Sequence, residues 1–187
     1  MTKEQLLTLV DRSGKPSGKY APRSLCHLFA KSEDILAKRK HLAIQVLTFR
    51  DKKLILHLRN EAKLGGGRFD CPTTHVLKGE TYESAARRCL KNEYGITTEI
   101  PLHFVSGFHY RENYNDGTCE NEFCGVMWCD FKGTVTPNEK EMSFLKIRPF
   151  NEIIRNLKTK EKERFTIWLR LSLREFLKTG NGKAFTK

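Results

Sequence analysis

No apolar stretch of the chain approaches the roughly 20 residues that a membrane-spanning helix needs. The opening segment, MTKEQLLTLV, lacks the basic start and long apolar run of a secretory leader. Both absences lead to the expectation of a cytoplasmic protein. Internal repeats and low-complexity tracts are missing, so a solenoid or linker-like array is not expected. Six cysteines, at positions 26, 71, 89, 119, 124 and 129, include no C-x-x-C pair. A cytoplasmic setting also argues against disulfides, and free thiols buried in strands and helices are expected.

The 187 residues, 39% hydrophobic and 30% charged, have room for one sizeable core. We therefore expect a single domain over residues 1–187, with C-terminal helices from about residue 150. The net charge of +12 fits nucleic acid, an anionic membrane face, a substrate with several phosphate charges, or a solvated basic helix face. Much of the excess lies downstream of residue 146, in LKTKEKER and LRLSLREFLK. No basic motif interleaved with aromatics resembles an RNA or DNA module, which argues against nucleic acid as the partner. Charge and length leave the oligomeric state open between monomer and homodimer.

Thr8–Val10 reads as a short strand, followed by turns at Asp11–Gly14 and Lys15–Gly18. HLAIQVLTF (41–49) is rich in β-formers, and RDKK (50–53) turns it back into LILHLR, a hairpin. Lys63–Cys71, broken by Gly65-Gly66-Gly67, reads as a loop. Thr81–Tyr94 is the strongest helix of the first half, with Thr81 as cap and Gly95 as stop. Phe104–Arg111 and Cys119–Phe131 are strands joined by the polar turn at 113–117. One further helix begins near Pro149–Leu157, and another runs through Phe165, Trp168, Leu169, Leu173 and Phe176. Mixed strands interrupted by one helix and finished by others predict an α/β fold, a mixed β-sheet sandwiched between helices, and not a parallel doubly wound sheet.

Two acidic features stand out. Glu120 and Glu122 are two apart on a strand, so their carboxylates share a face, a repulsive arrangement best tolerated with a cation between them. That face continues through Cys124, Val126 and Trp128, which points it inward. Glu93 follows Ala86, Cys89 and Leu90 at helical spacing, on the apolar side of its helix. An acid there must be paired, ligand a metal or be neutral. Of the six histidines, His27, His41 and His75 sit at element boundaries where side chains can converge, whereas His57 and His103 have no partner signal.

GETYESAARRCLKNEYGI resembles a degenerate Nudix box, with Glu80, Arg88, Glu93, Gly95 and Ile96 at its spacing. A usual glycine is Thr74, and two usual helix glutamates are Cys89 and Asn92, which weakens ordinary Nudix hydrolase chemistry. The pattern is similar to the isopentenyl-diphosphate isomerase branch of the superfamily. CHL (26–28), HLA (41–43), THVLKGE around His75 and ENE (120–122) resemble its histidine and acidic segments, from about Leu9 to Trp168.

The resemblance implies a Nudix fold and a metal site of His27, His41, His75, Glu120 and Glu122, a mixed N/O shell suited to Zn²⁺ or Mn²⁺. It makes Glu93 a ligand of a second, diphosphate-bound Mg²⁺. It makes Arg23, Arg59, Lys63 and Arg88 candidates for the diphosphate of a small substrate, with a structural ion pair as the alternative for Arg88. For catalysis it implies Glu122 and Tyr110 in proton transfer and Trp168 as the aromatic face that stabilises a carbocation. The isomerases keep a cysteine two residues before the third histidine, and here that position is Thr73. A threonine hydroxyl has a far higher pKa than the roughly 8.5 of a thiol, so ordinary isomerisation is in doubt. Cys71, about 7 Å further back along an extended chain, is the alternative thiol.

Overall fold

In a computed structural model, residues 4–186 are described; Met1, Thr2, Lys3 and Lys187, and with them the start of the segment MTKEQLLTLV, lie outside them. In chain order the elements are β1 (Leu6–Val10), β2 (Pro16–Pro22), α1 (Arg23–Cys26), α2 (Glu33–Lys38), β3 (His41–Arg50), β4 (Lys53–Arg59), β5 (Phe69–Asp70), β6 (Thr73–His75), α3 (Tyr82–Tyr94), β7 (His103–Asn113), β8 (Cys119–Asp130), β9 (Met142–Pro149) and α4 (Phe150–Asn156). A 3₁₀ turn (Lys160–Arg164), α5 (Ile167–Leu177) and α6 (Gly180–Phe185) complete the chain.

Local chemistry accounts for the best-defined elements. Thr81 caps α3 by accepting from the Ser84 amide, and the Ser84 hydroxyl accepts from the Thr81 amide in return. Gly95 ends the helix at φ 67°, a left-handed conformation in which a side chain is strained. The β3–β4 turn has positive φ at both Asp51 and Lys52, as a two-residue hairpin requires. Lys15–Gly18 is not a turn: from Pro16 onward the chain is already strand β2, paired with β1. The segment expected to be loop through Cys71 contains strand β5 at Phe69–Asp70.

The predicted β3–β4 hairpin forms, but only as the pairs Phe49↔Leu54 and Arg50↔Lys53. Beyond them the strands separate. β3 runs parallel to β8 from His41↔Glu122 to Phe49↔Asp130 and antiparallel to β6, while β4 takes β9 and β5 as neighbours. The result is a curled mixed sheet with helices on both faces, the α/β sandwich expected of the sequence. Leu42, Ile44 and Val46 of β3 pack with Ala85, Ala86, Leu90 and Tyr94 of α3 on one side. Leu47 and Phe49 pack with Phe150, Leu169, Leu173 and Phe176 of α4 and α5 on the other. A strand buried on both faces reads as a near-continuous apolar run, which HLAIQVLTF is apart from His41, Gln45 and Thr48, all three buried. The Phe49 and Phe176 rings stack at 5.0 Å, and emptying such a site costs about 3–5 kcal/mol.

Candidate metal centre and diphosphate cavity

Strand register assembles the cluster. The parallel ladder sets His41 opposite Glu122, the β3–β6 ladder brings His75 beside Ala43, and the β7–β8 hairpin sets Tyr110 opposite Glu122. His27, just after α1, is joined to β8 by a 2.8 Å bond from the Cys119 amide to its carbonyl. Between the two glutamates, Asn121 points to the opposite face and donates to the Leu36 carbonyl at 2.7 Å, which ties α2 to β8.

The five predicted ligands do meet. One donor atom from each of His27, His41, His75, Glu120 and Glu122 lies within 4.8 Å of all the others. His27 Nε2 is 3.2 Å from Glu120 Oε2, His41 Nε2 is 3.2 Å from Glu122 Oε1, and His75 Nε2 is 3.1 Å from the same Glu122 oxygen. Two of these atoms, His41 Nε2 and Glu120 Oε2, are buried without a hydrogen-bond partner among the described residues, and His27 Nε2 meets His75 Nε2 at 3.1 Å. His27 and His41 both place Nδ1 against a backbone carbonyl, of Arg23 at 2.8 Å and of Arg39 at 3.1 Å. A carbonyl only accepts, so Nδ1 carries the proton and Nε2 turns its lone pair into the cluster, the tautomer a metal ligand needs. Ligand bonds of about 2.0–2.2 Å to a central ion would span these separations. The donor set fits a divalent ion.

Without an ion the charges are strained. Burial pushes the Glu120 and Glu122 carboxyls up, and Glu122 adds to the rise at Glu120. The surrounding imidazoles reverse this and hold both below the ordinary carboxylate range, Glu122 far below. Burial works against charge on His75 as well, but the two carboxylates outweigh it and raise the imidazole to about 9. Tyr110 donates its hydroxyl to Glu122 Oε2 at 2.5 Å, and burial beside the two glutamates pushes its phenol well above the usual range. Tyr110 is thus a proton donor and not a base.

The cluster opens into a cavity of about 200 Å³ whose walls include Arg23, Arg59, Lys63, Thr73, Arg88, Glu93, Tyr110 and Trp168. They are not equally free. Arg88 gives Nε and Nη2 to Glu80 at 2.6 and 2.8 Å, Nη2 again to the His75 carbonyl at 2.8 Å, and Nη1 to the Thr74 hydroxyl at 3.2 Å. Four of its five N–H groups are spent on fixing the β6–α3 connection, which favours the structural ion pair. Lys63 is paired with Glu141 at 2.7 Å. Arg59 donates to the Leu64 carbonyl and to Asp70, and its other three N–H groups bond no described residue. Gly65 lies so close to Trp168 that a Cβ there would come within 2.7 Å of the indole.

Glu93 is buried, as its place on the apolar face of α3 requires. Its Oε1 accepts from Cys89 Sγ at 3.3 Å and the Thr73 amide at 3.4 Å, and its Oε2 has no partner among the described residues. Burial raises its carboxyl to about 8. Thr73 presents its hydroxyl not to the cavity but to the Ile44 carbonyl at 3.1 Å. Cys71 does not replace it: the thiol is fully buried, donates to the Ile55 carbonyl at 3.5 Å and is pushed far up by burial. His57 is a satisfied core histidine, with Nδ1 3.2 Å from the Tyr94 hydroxyl.

The sequence reading missed Asp70, Gln45 and Glu141. Asp70 was placed in a loop, where an acid needs no explanation. Its signal was its position between Phe69 and Cys71, which are both buried.

Fold and donor set together define the class: an α/β protein whose sheet presents a His/Glu cluster able to hold a metal ion on the wall of a cavity lined by both arginine and glutamate side chains. The profile of the NUDIX domain matches residues 39–169, so the chain belongs to the Nudix family, whose enzymes work with divalent ions. It is 26% identical over 153 residues to an isopentenyl-diphosphate delta-isomerase of Cereibacter sphaeroides, covering 77% of this chain and 82% of that one. A protein of the same name from Dinoroseobacter shibae is 28% identical over 140 residues, covering 73% and 78%. Among solved structures, DR0079 from Deinococcus radiodurans superposes with a TM-score of 0.66 at 16% identity, covering 91% of this chain and 98% of that one. At that identity the likeness concerns the fold alone. Among the described residues no helix is long and apolar enough to cross a membrane.

Proposed function

We propose that this chain is a metal-dependent Nudix enzyme of the isopentenyl-diphosphate isomerase type that acts on an isoprenoid or other small diphosphate. One observation carries the reading: three imidazole Nε2 atoms and two carboxylates converge within 4.8 Å on the wall of a cavity that also holds Glu93 and Arg59. His27, His41, His75, Glu120 and Glu122 would hold Zn²⁺ or Mn²⁺, which would supply positive charge at the reacting end of the cavity. Glu93 would ligate a Mg²⁺ that accompanies the diphosphate. Arg59 offers paired donors to phosphate oxygens, with Lys63 and Arg23 as further positive charges.

The protein's own groups then have defined roles. Glu122 would be the proton-transfer group beside the substrate, and Tyr110, held protonated, would assist it through the hydrogen bond it donates to Glu122 Oε2. Trp168 walls the cavity with its indole face. These residues span positions 23–168, which supports one functional domain over the chain. The decisive experiment is metal analysis of the purified protein, followed by incubation with isopentenyl diphosphate, Mg²⁺ and either Zn²⁺ or Mn²⁺. Formation of dimethylallyl diphosphate supports the proposal; its absence with a fully loaded site overturns the isomerase form of it.

One observation favours a second reaction at the same site. The Thr73 hydroxyl is committed to Ile44, and hydrolysis of a diphosphate does not require a second proton-transfer group there. Release of phosphate or pyrophosphate from a panel of nucleoside and isoprenoid diphosphates distinguishes the two.

A further inference from the structure

Under the cavity floor lies a carboxylate that neither reaction uses. Asp70 of β5 is fully buried. Its Oδ1 accepts from Gln45 Nε2 at 2.7 Å, the Cys71 amide at 2.9 Å and the Thr166 hydroxyl at 3.0 Å. Its Oδ2 accepts from Arg59 Nη1 at 2.9 Å and Trp168 Nε1 at 2.8 Å. Burial pushes the carboxyl up, and Arg59 together with the other donors pulls against that rise. All five partners donate and four are N–H groups that cannot accept, so the donor set is built around the ionised form.

Two of these donors, Arg59 and Trp168, line the cavity. Arg59 is held at three points: Nη1 on Asp70, Nε on the Leu64 carbonyl at 3.1 Å, and Cζ 5.2 Å from the centre of the Trp168 ring. Trp168 is in turn held by the same Asp70 oxygen. An arginine that must order itself around a phosphate loses rotamer freedom on binding. Arg59 has lost it beforehand.

We propose that Asp70 is a positioning residue for anion recognition: by gripping Arg59 and Trp168 with one oxygen, it presents the free N–H edge of Arg59 to a diphosphate in the cavity. The inference rests on the reading that this cavity takes a diphosphate. It separates Asp70's two oxygens by task. Oδ1, with Gln45 and Thr166, ties the start of α5 to the sheet, and Oδ2 sets the binding group.

The test is calorimetric titration of the metal-loaded protein with inorganic pyrophosphate in Mg²⁺. Asp70→Asn removes the charge and sets an amide against donors, and the affinity should fall about tenfold or more with metal content unchanged. Thr166→Val removes only an Oδ1 tie; it should lower the melting temperature and leave the affinity within about twofold of the parent. Unaltered binding by Asp70→Asn, or an equal loss in Thr166→Val, overturns the inference while leaving the diphosphate reading in place. A parent that binds no pyrophosphate overturns both. Should Asp70→Asn fail to fold, the indole N–H resonance of Trp168, assigned in a Trp128→Phe background, gives the answer. It should exchange slowly and move on addition of pyrophosphate; a resonance that does not move overturns the inference.

Discussion

Thr73 donates its hydroxyl to the Ile44 carbonyl at 3.1 Å, across the β3–β6 ladder. A hydroxyl so engaged is neither free to turn into the cavity nor acidic enough to shuttle a proton at neutral pH. Thr73→Cys places a thiol there, with an ordinary pKa of about 8.5, and a positioned acid or base is worth about 10²–10⁴ in rate. We expect the variant to convert isopentenyl diphosphate to dimethylallyl diphosphate about tenfold to 100-fold faster than the parent, the upper figure being the low end of that range. An unchanged rate would show that position 73 is not where isomerisation is limited.

The cluster predicts sharp losses of metal. His41 is fully buried and its Nε2 has no hydrogen-bond partner among the described residues, so its cost is repaid only by an ion. His41→Ala and Glu122→Gln should each lower metal affinity by at least about 100-fold, read as metal content after dialysis against a weak chelator. Full occupancy in both variants would sink the proposed ligand set.

How much of this was legible beforehand depended on whether the signal was local. Glu120 and Glu122 declared themselves through the period of two in a strand, and Glu93 through helical spacing from Ala86, Cys89 and Leu90. The three histidines showed only their place at element boundaries, and the resemblance alone made them ligands, because the pairing of His41 with Glu122 is a parallel contact between strands about 80 residues apart in sequence. β9 was missed since it lies mostly exposed, with Phe144 and Ile147 turned outward, and shows no clean alternation. α1 and α2, of four and six residues, are too short to display a helical period. Asp70 escaped because its partners come from β3, β4 and the start of α5, which only the fold brings together.

The metal-free and metal-loaded proteins should respond to pH in opposite senses. His75, raised to about 9 by the two carboxylates, contributes stability that is fully present below its ordinary value of 6.5 and is lost as pH rises through 9. Glu93, raised to about 8, adds to the same trend, because its carboxyl must ionise in a buried site. The metal-free melting temperature should therefore fall between pH 6.5 and 9.5. An ion needs a neutral imidazole, so each binding event displaces the His75 proton, and apparent affinity should rise about tenfold per pH unit until about pH 9. A metal affinity independent of pH between 6.5 and 8.5 would exclude His75 from the ligands.

Glu93 separates function from stability most cleanly. Its Oε2 is buried without a partner among the described residues, and burial holds the carboxyl at about 8, so near pH 7 the group is largely protonated until an ion arrives. Glu93→Gln keeps the shape and the acceptor for the Thr73 amide but removes the ionisable group. The ion-free variant should melt higher, by about 1 kcal/mol or more in stability at pH 7.5, because folding no longer has to protonate a carboxyl that is ionised in the unfolded chain. Mg²⁺-dependent binding of pyrophosphate should weaken at least about tenfold, while metal content at the histidine cluster stays that of the parent. A variant that melts higher and still binds pyrophosphate with the parent's Mg²⁺ dependence would leave Glu93 a core carboxyl and move the second ion elsewhere.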